Sequence, residues 1–186
     1  MKLIVALGNP GKQYQKNHHN AGFIVIEEFL QRKNLSIYKT KFNGIYERTK
    51  INGEEVIFAM PHTFMNLSGN FVFSLSNYFG IAPKDILIIH DDKDISLGKY
   101  KYKFSGGHAG QNGIRNIIQQ LGSKDFSRLR IGIGLNNNKN LDIKNHVLKN
   151  FNNSTYQNLL ADDSLYESID FFLANDILET MNKYNE

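Results

Sequence analysis

Apolar positions recur along this chain in two alternating rhythms. Residues 2–7 form a short apolar run cut off by Gly8-Asn9-Pro10-Gly11, which reads as a buried strand ended by a turn. From Asn20 the apolar positions Phe23, Ile26, Phe29 and Leu30 fall at helical spacing, with Arg32 and Lys33 placed where cations meet the free carbonyls of a last turn. Residues 45–51 and 55–60 flank Asn52-Gly53, a pair suited to the left-handed turn of a two-residue hairpin, so an antiparallel strand pair is expected. Across residues 65–79, Leu67, Phe71, Leu75 and Tyr78 define a helix stripe, with Gly80 where a terminating glycine belongs. Residues 86–89 are wholly apolar, the pattern of a strand covered on both faces. Residues 99–104 then alternate lysine with aromatics, and a Gly-rich stretch, 105–113, leads into a helical run to Leu121. Residues 128–134 alternate again, 142–151 fit neither period, and two amphipathic helices, about 156–174 and 177–185, close the chain.

Strands interleaved with helices indicate an α/β domain, and the hairpin makes its sheet mixed rather than purely parallel. The expected architecture is a twisted mixed β-sheet flanked by helices. A length of 186 residues with no linker, repeat or shift in composition fits a single domain spanning 1–186. Ligands in such sheets gather at the carboxyl ends of the strands.

Several polar residues fall just past the apolar runs. Asn9, Tyr14, His18 and His19 follow the first strand; Asn66 opens a helix; Asp91, Asp92 and Asp94 follow the third apolar strand; His108 and Asn112 lie in the Gly-rich loop. If these loops converge, a histidine meets a carboxylate among several amides. Taken singly, each has a plainer reading. A loop histidine is most often a surface residue, and Asn66 could simply cap its helix. The three aspartates could cap a turn or hold Mg²⁺. The Gly-rich loop lacks the Lys-Ser/Thr ending of a nucleotide-binding P-loop.

Cationic residues are better ordered. Alternation places Lys99, Lys101 and Lys103 on one strand face, and Arg128 and Arg130 share another. Such strips suit phosphate oxygens, although lysines also protect exposed strand edges from pairing. The net charge of +4 and a pI near 9.1 are compatible with a polyanionic partner without requiring one. Cysteine is absent, which removes disulfides and thiol nucleophiles. No apolar run suits a membrane span, and the N-terminal run is too short for a signal peptide, so a soluble cytoplasmic protein is expected.

Read together, these residues resemble the bacterial type of peptidyl-tRNA hydrolase. The matching pieces are GNPG at 8–11 with Tyr14, HNAG at 19–22, PHTFMNLSG at 61–69, HDDKD at 90–94, SGGHAGQNG at 105–113 and RLRIGIG at 128–134. They occur in the family's order and spacing, and the resemblance covers essentially the whole chain.

The resemblance implies hydrolysis of the ester joining a peptide to the terminal ribose of tRNA, by a monomer needing no metal or cofactor. It makes His19 the general base and Asp91 its orienting carboxylate, with Asn9, Asn66 and Asn112 lining the site. Tyr14, Phe64 and His108 become substrate-binding positions, and Lys103 with Arg130 the pair that grips tRNA phosphate. His18 is then a neighbour of the base. The residue types suit this chemistry, since a neutral imidazole oriented by a carboxylate can take a proton from water near neutral pH.

Two departures from the family's usual pattern stand out. Gln111 occupies a position usually held by histidine, which bears on a substrate contact, and Asn17-His18 replaces a Thr-Arg pair, which bears on an ionic contact with tRNA. Two rivals remain at this level: an RNA-binding relative without catalysis, and a metal-dependent phosphoesterase built on Asp91, Asp92 and Asp94.

Overall fold

A computed structural model describes residues 1–134 and 142–185. Its elements, in chain order, are β1 (Lys2–Ala6), α1 (Ala21–Arg32), β2 (Lys39–Lys41), β3 (Gly44–Ile51), β4 (Glu54–Pro61), α2 (Ser68–Phe79), β5 (Ile86–Asp92), β6 (Tyr100–Phe104), α3 (Asn112–Leu121), β7 (Ser127–Gly132), α4 (Ile143–Val147), α5 (Asn153–Leu160), α6 (Asp163–Ala174) and α7 (Ile177–Tyr184). The strands form one sheet in the order β2-β3-β4-β1-β5-β7-β6. Pairing is parallel through β4, β1, β5 and β7 and antiparallel for β2 with β3, β3 with β4 and β6 with β7. This is the mixed, helix-flanked α/β sheet that the sequence predicts.

Because β1 and β5 are central and covered by helices on both sides, each strand feeds two cores. On one face Ile4, Leu87, Ile89 and Leu129 pack with Phe29, Leu165, Ile169 and Phe172. On the other, Leu3, Val5, Ile86 and Ile88 pack with Phe71, Leu75, Ile114 and Ile117. Every residue of β5 is buried, as its apolar composition anticipates, and the burial extends through His90, Asp91 and Asp92. Asp91 and Asp92 are therefore strand residues rather than residues of a following loop. The central parallel strands end together at one edge of the sheet, beside the start of α1.

Gly22 makes that junction tight. A methyl group there would sit 2.4 Å from the Ile89 carbonyl oxygen and 2.6 Å from that of Leu7. Only glycine lets α1 begin directly against the ends of β1 and β5.

Two expectations need correction. The stripe proposed for residues 65–79 is rotated: Leu67 and Tyr78 are 44% and 56% exposed, and the buried face is Phe71, Val72, Leu75 and Ser76. Residues Met65–Leu67 form a separate 3-10 turn, which breaks the period before Ser68. Gly80 does end the helix in the left-handed conformation, with φ of 65°. The long helix expected over 156–174 is two helices, because the Asp162 side chain accepts from Leu165 N and starts α6 afresh. The short edge strand β2 and the short helix α4 carry too few periodic positions to be read from sequence. Among the described residues, no helix is long and apolar enough to cross a membrane.

Candidate active site

The turn after β1 is pinned by two asparagines. Asn9 N donates to Asn20 Oδ1 at 2.8 Å, and Asn20 Nδ2 returns a bond to Asn9 O at 2.9 Å. This closes the loop carrying Tyr14, His18 and His19 into a fixed arc. Asn9 Oδ1 meanwhile accepts from Met65 N at 2.9 Å, tying the arc to the turn before α2.

At the end of the arc, His19 Nδ1 donates to Asp91 Oδ2 at 2.9 Å, across 72 residues of sequence. Both are buried, His19 at 9% exposure and Asp91 at 2%. The second carboxylate oxygen of Asp91 accepts from Gln111 Nε2 at 2.8 Å. Since Asp91 holds the Nδ1 proton, the Nε2 of a neutral His19 ring carries the lone pair.

The charges of this pair support each other. Burial alone would pull the His19 imidazole down, but the charge of Asp91 and its hydrogen bond outweigh burial and raise it above its ordinary 6.5. Burial pushes the Asp91 carboxyl up, while His19, the Gln111 amide and His90 together hold it below its ordinary 3.8. Asp91 thus stays ionised across the neutral range.

A small cleft, open to solvent, exposes this couple. Its walls include His19, Asp91, Gln111 and Asn112, with Ile143, Lys144 and Val147 of α4 opposite. Of the residues expected from sequence, the structure brings His19, Asp91 and Asn112 to this cleft. Asn9 lines a neighbouring hollow between the first turn, α1 and the β3–β4 hairpin. Asn66 is exposed on the turn that Asn9 holds and makes no capping bond to α2, whose Gly69 N donates instead to Asn116 Oδ1 at 2.7 Å, so the capping explanation for Asn66 fails. Phe64 is 57% exposed before that turn, and Tyr14 is half-buried on the arc. His108 turns into its own loop, where its Nδ1 accepts from Gly110 N at 3.0 Å.

Two sequence departures have structural explanations. Asn17 and His18 are buried rather than facing outward: Asn17 Nδ2 donates to Asn150 Oδ1 at 2.6 Å, and His18 Nδ1 faces His146 O at 3.1 Å. They hold the segment containing α4 against the cleft. Gln111 both caps α3, accepting from Ile114 N at 2.8 Å, and grips Asp91. Asn20 and α4 had no assigned part in the sequence reading, and Gln111 entered it only as a departure bearing on a substrate contact. Asn20 and Gln111 lie inside the matched motifs HNAG and SGGHAGQNG, which was the one available signal.

The aspartates do not converge on one point. Asp92 Oδ2 accepts from Arg130 Nε at 2.8 Å, and Asp92 Oδ1 accepts from Asp94 N at 2.8 Å, as in a turn cap. Among the described residues, no group of three or more His, Cys, Asp or Glu side chains could hold a metal ion.

On β6 and β7 the register sets Lys101 opposite Arg130 and Lys103 opposite Arg128, so Lys103 and Arg130 are diagonal neighbours on one face. Lys101 is exposed and Lys103 half-exposed. Arg128 is buried and its guanidinium donates to the Gly106 and Gly107 carbonyls, anchoring the Gly-rich loop. Burial, aided by the nearby charge of Arg130, lowers the Arg128 pKa to about 10.

Fold and site together define an α/β protein with a carboxylate-oriented imidazole at the carboxyl ends of its central strands, beside a cationic sheet face. The family model described as peptidyl-tRNA hydrolase matches residues 3–186. A peptidyl-tRNA hydrolase of Lactobacillus acidophilus is 44% identical over 189 residues, covering 100% of both chains. One from Mycoplasma mobile is 43% identical over 187 residues, again covering 100% of each. A crystal structure of peptidyl-tRNA hydrolase from Acinetobacter baumannii superposes with a TM-score of 0.89 at 36% identity, covering 100% of this chain and 94% of that one. The chain belongs to the peptidyl-tRNA hydrolase family.

Proposed function

We propose that this protein hydrolyses the ester between a peptide, or an N-blocked amino acid, and the terminal ribose of tRNA, with His19 as general base. The observation that carries the reading is the buried His19–Asp91 hydrogen bond of 2.9 Å at the wall of the cleft. His19 Nε2 takes a proton from water as the water oxygen bonds to the ester carbon. Asp91 stabilises the imidazolium that forms. The carbonyl electrons move onto oxygen and return as the carbon–ribose oxygen bond breaks. The ribose oxygen then leaves with the proton from His19, giving free tRNA and a peptide acid.

Asn9 has a defined orientation for this step. Its Oδ1 is committed to Met65 N, so its amide hydrogens are the donors it offers to the developing oxyanion. Asn66 and Asn112 are assigned to the peptide amide. Bonded to an amide they are satisfied, whereas a free α-ammonium leaves their acceptor and donor groups mismatched, which favours peptidyl over aminoacyl esters. Asn66→Ala and Asn112→Ala should each slow turnover on the peptidyl substrate, and unchanged rates in both would remove that assignment.

Lys103 and Arg130 are assigned to tRNA phosphate, with Tyr14, Phe64 and His108 at the margins of substrate binding. On this reading the whole chain acts as one domain and as a monomer in the cytoplasm, without metal or cofactor. The test is release of N-blocked amino acid from N-acylated aminoacyl-tRNA by the purified protein in EDTA, beside His19→Ala. Metal-independent release that the substitution abolishes supports the reading. Tight tRNA binding without release would make the protein an RNA-binding relative.

A further inference from the structure

The contacts around the cleft form a closed ring. Asn9 Oδ1 holds Met65 N; Met65 Sδ accepts from Gln111 Nε2 at 3.3 Å; Gln111 Nε2 donates to Asp91 Oδ1; Asp91 Oδ2 holds His19; and Asn20, next to His19, bonds reciprocally to the Asn9 backbone. Four separate elements meet in it: the arc before α1, the turn before α2, the end of β5 and the start of α3. Among the described residues, Gln111 alone joins the start of α3 to Asp91 by a side-chain hydrogen bond.

We infer that Gln111 is a positioning residue for the general base: it fixes the rotation of the Asp91 carboxylate and thereby sets both the aim and the basicity of His19. This rests on the assignment of His19 as the base. The orientation of the Gln111 amide follows from its neighbours. Oε1 faces Ile114 N, a donor, so the amide hydrogens must face Asp91; the flipped amide would oppose donor to donor and oxygen to carboxylate. A carboxylate held at one oxygen by His19 and at the other by a backbone-anchored amide cannot swing about its Cβ–Cγ bond.

Gln111 also brings no proton of its own. A histidine at this place would add a second titrating ring against Asp91, whereas the amide donates at every pH. The other ionisable groups near the couple are His18 before α1, His90 and Asp92 on β5, Lys93 after it and Lys144 on α4. None of these donates to Asp91 Oδ1. Without Gln111 that oxygen loses a donor, its charge is less compensated, and the His19 proton is held more tightly.

Two variants separate this role from its alternatives. Gln111→Met removes the donor and fills the space. Gln111→Ser removes the donor but keeps a side chain able to cap α3, which protects folding. Both are measured for kcat and KM on N-acylated aminoacyl-tRNA over pH 5 to 9, and the His19 ring is titrated by NMR. In both, kcat should fall roughly tenfold, the size expected for losing a hydrogen bond to a charged group. The acid limb of the rate profile and the His19 titration should both move up by about half a unit or more. A raised KM with an unmoved titration would make Gln111 a substrate contact instead, and a Gln111→Ser profile matching the unsubstituted protein would reduce it to a helix cap. Either result overturns the inference. Retained activity in His19→Ala would overturn the assignment of the base itself, a separate outcome from these.

Discussion

The cleft around His19 and the basic face of β6 and β7 lie side by side, yet they treat polar groups in opposite ways. At the cleft each oxygen of Asp91 has a donor, and Asn9, Asn20 and Gln111 are all committed to bonds within the protein. On the basic face Lys101 and Lys103 reach toward solvent and, among the described residues, form no ion pair with an acidic side chain, while Arg130 is tied to Asp92 and Arg128 to the Gly-rich loop. Placing a proton-transfer group requires that the groups holding its ring be saturated, because one loose partner lets the ring turn. Attracting a polyanion requires the reverse, charges left without counterions of their own.

The comparison breaks most sharply at His19. His19→Ala should lower kcat by about 10²–10⁴-fold while tRNA retention on a filter changes little. A parallel loss of binding would mean that the two regions are not separate devices.

Asp91→Asn comes next, with a fall in kcat of roughly 100-fold or more, because the orienting charge and the favoured tautomer are lost together. It should also move the acid limb of the rate profile down, since burial then acts on His19 without an opposing carboxylate. In the unsubstituted protein that limb should lie above 6.5, the ordinary histidine value. Stability carries the same signature. The raised pKa of His19 contributes fully below about pH 6.5 and is lost as pH rises through its folded value. The lowered pKa of Asp91 contributes above 3.8 and is lost as pH falls through its own folded value. The thermal stability gap between the protein and His19→Ala should therefore be widest between those limits and narrow above them.

On the basic face, Lys103→Ala should raise KM several-fold with kcat nearly unchanged and flatten the salt dependence of binding by about one charge. Arg130→Ala should raise KM less, because part of its charge already serves Asp92. Equal effects would show that tRNA displaces that ion pair. An unchanged KM in both variants would place the phosphate grip elsewhere. The smallest effect is expected far from both regions: Asp162→Ala should cost about 1 kcal/mol of stability through the lost α6 cap, seen as a lower Tm with kcat and KM intact.

Much of this arrangement is legible without coordinates. The apolar run of β5, the Asn52-Gly53 hairpin and the helical spacing after Asn20 each carry their own periodicity, a local property. The motifs around Asn9, His19 and Asp91 mark the candidate couple. Less legible are the interior roles of Asn17 and His18, which look like exposed loop residues until Asn150 and His146 are folded onto them. Gln111 likewise reads as one amide in a glycine loop, since its two partners, Asp91 and Ile114, lie in different elements.

The amino-acid sequence by itself determined the kinds of elements, their order, the mixed sheet and the family, because all of these depend on short-range pattern and on motifs in series. Only the tertiary structure decided which polar residues touch. His19 and Asp91 are 72 residues apart, and their 2.9 Å contact exists because parallel pairing of β1 with β5 brings two strand ends to one edge and Gly22 lets α1 start against them. Hydrogen bonds act over about 3 Å, whereas periodicity is indifferent to what lies across the sheet.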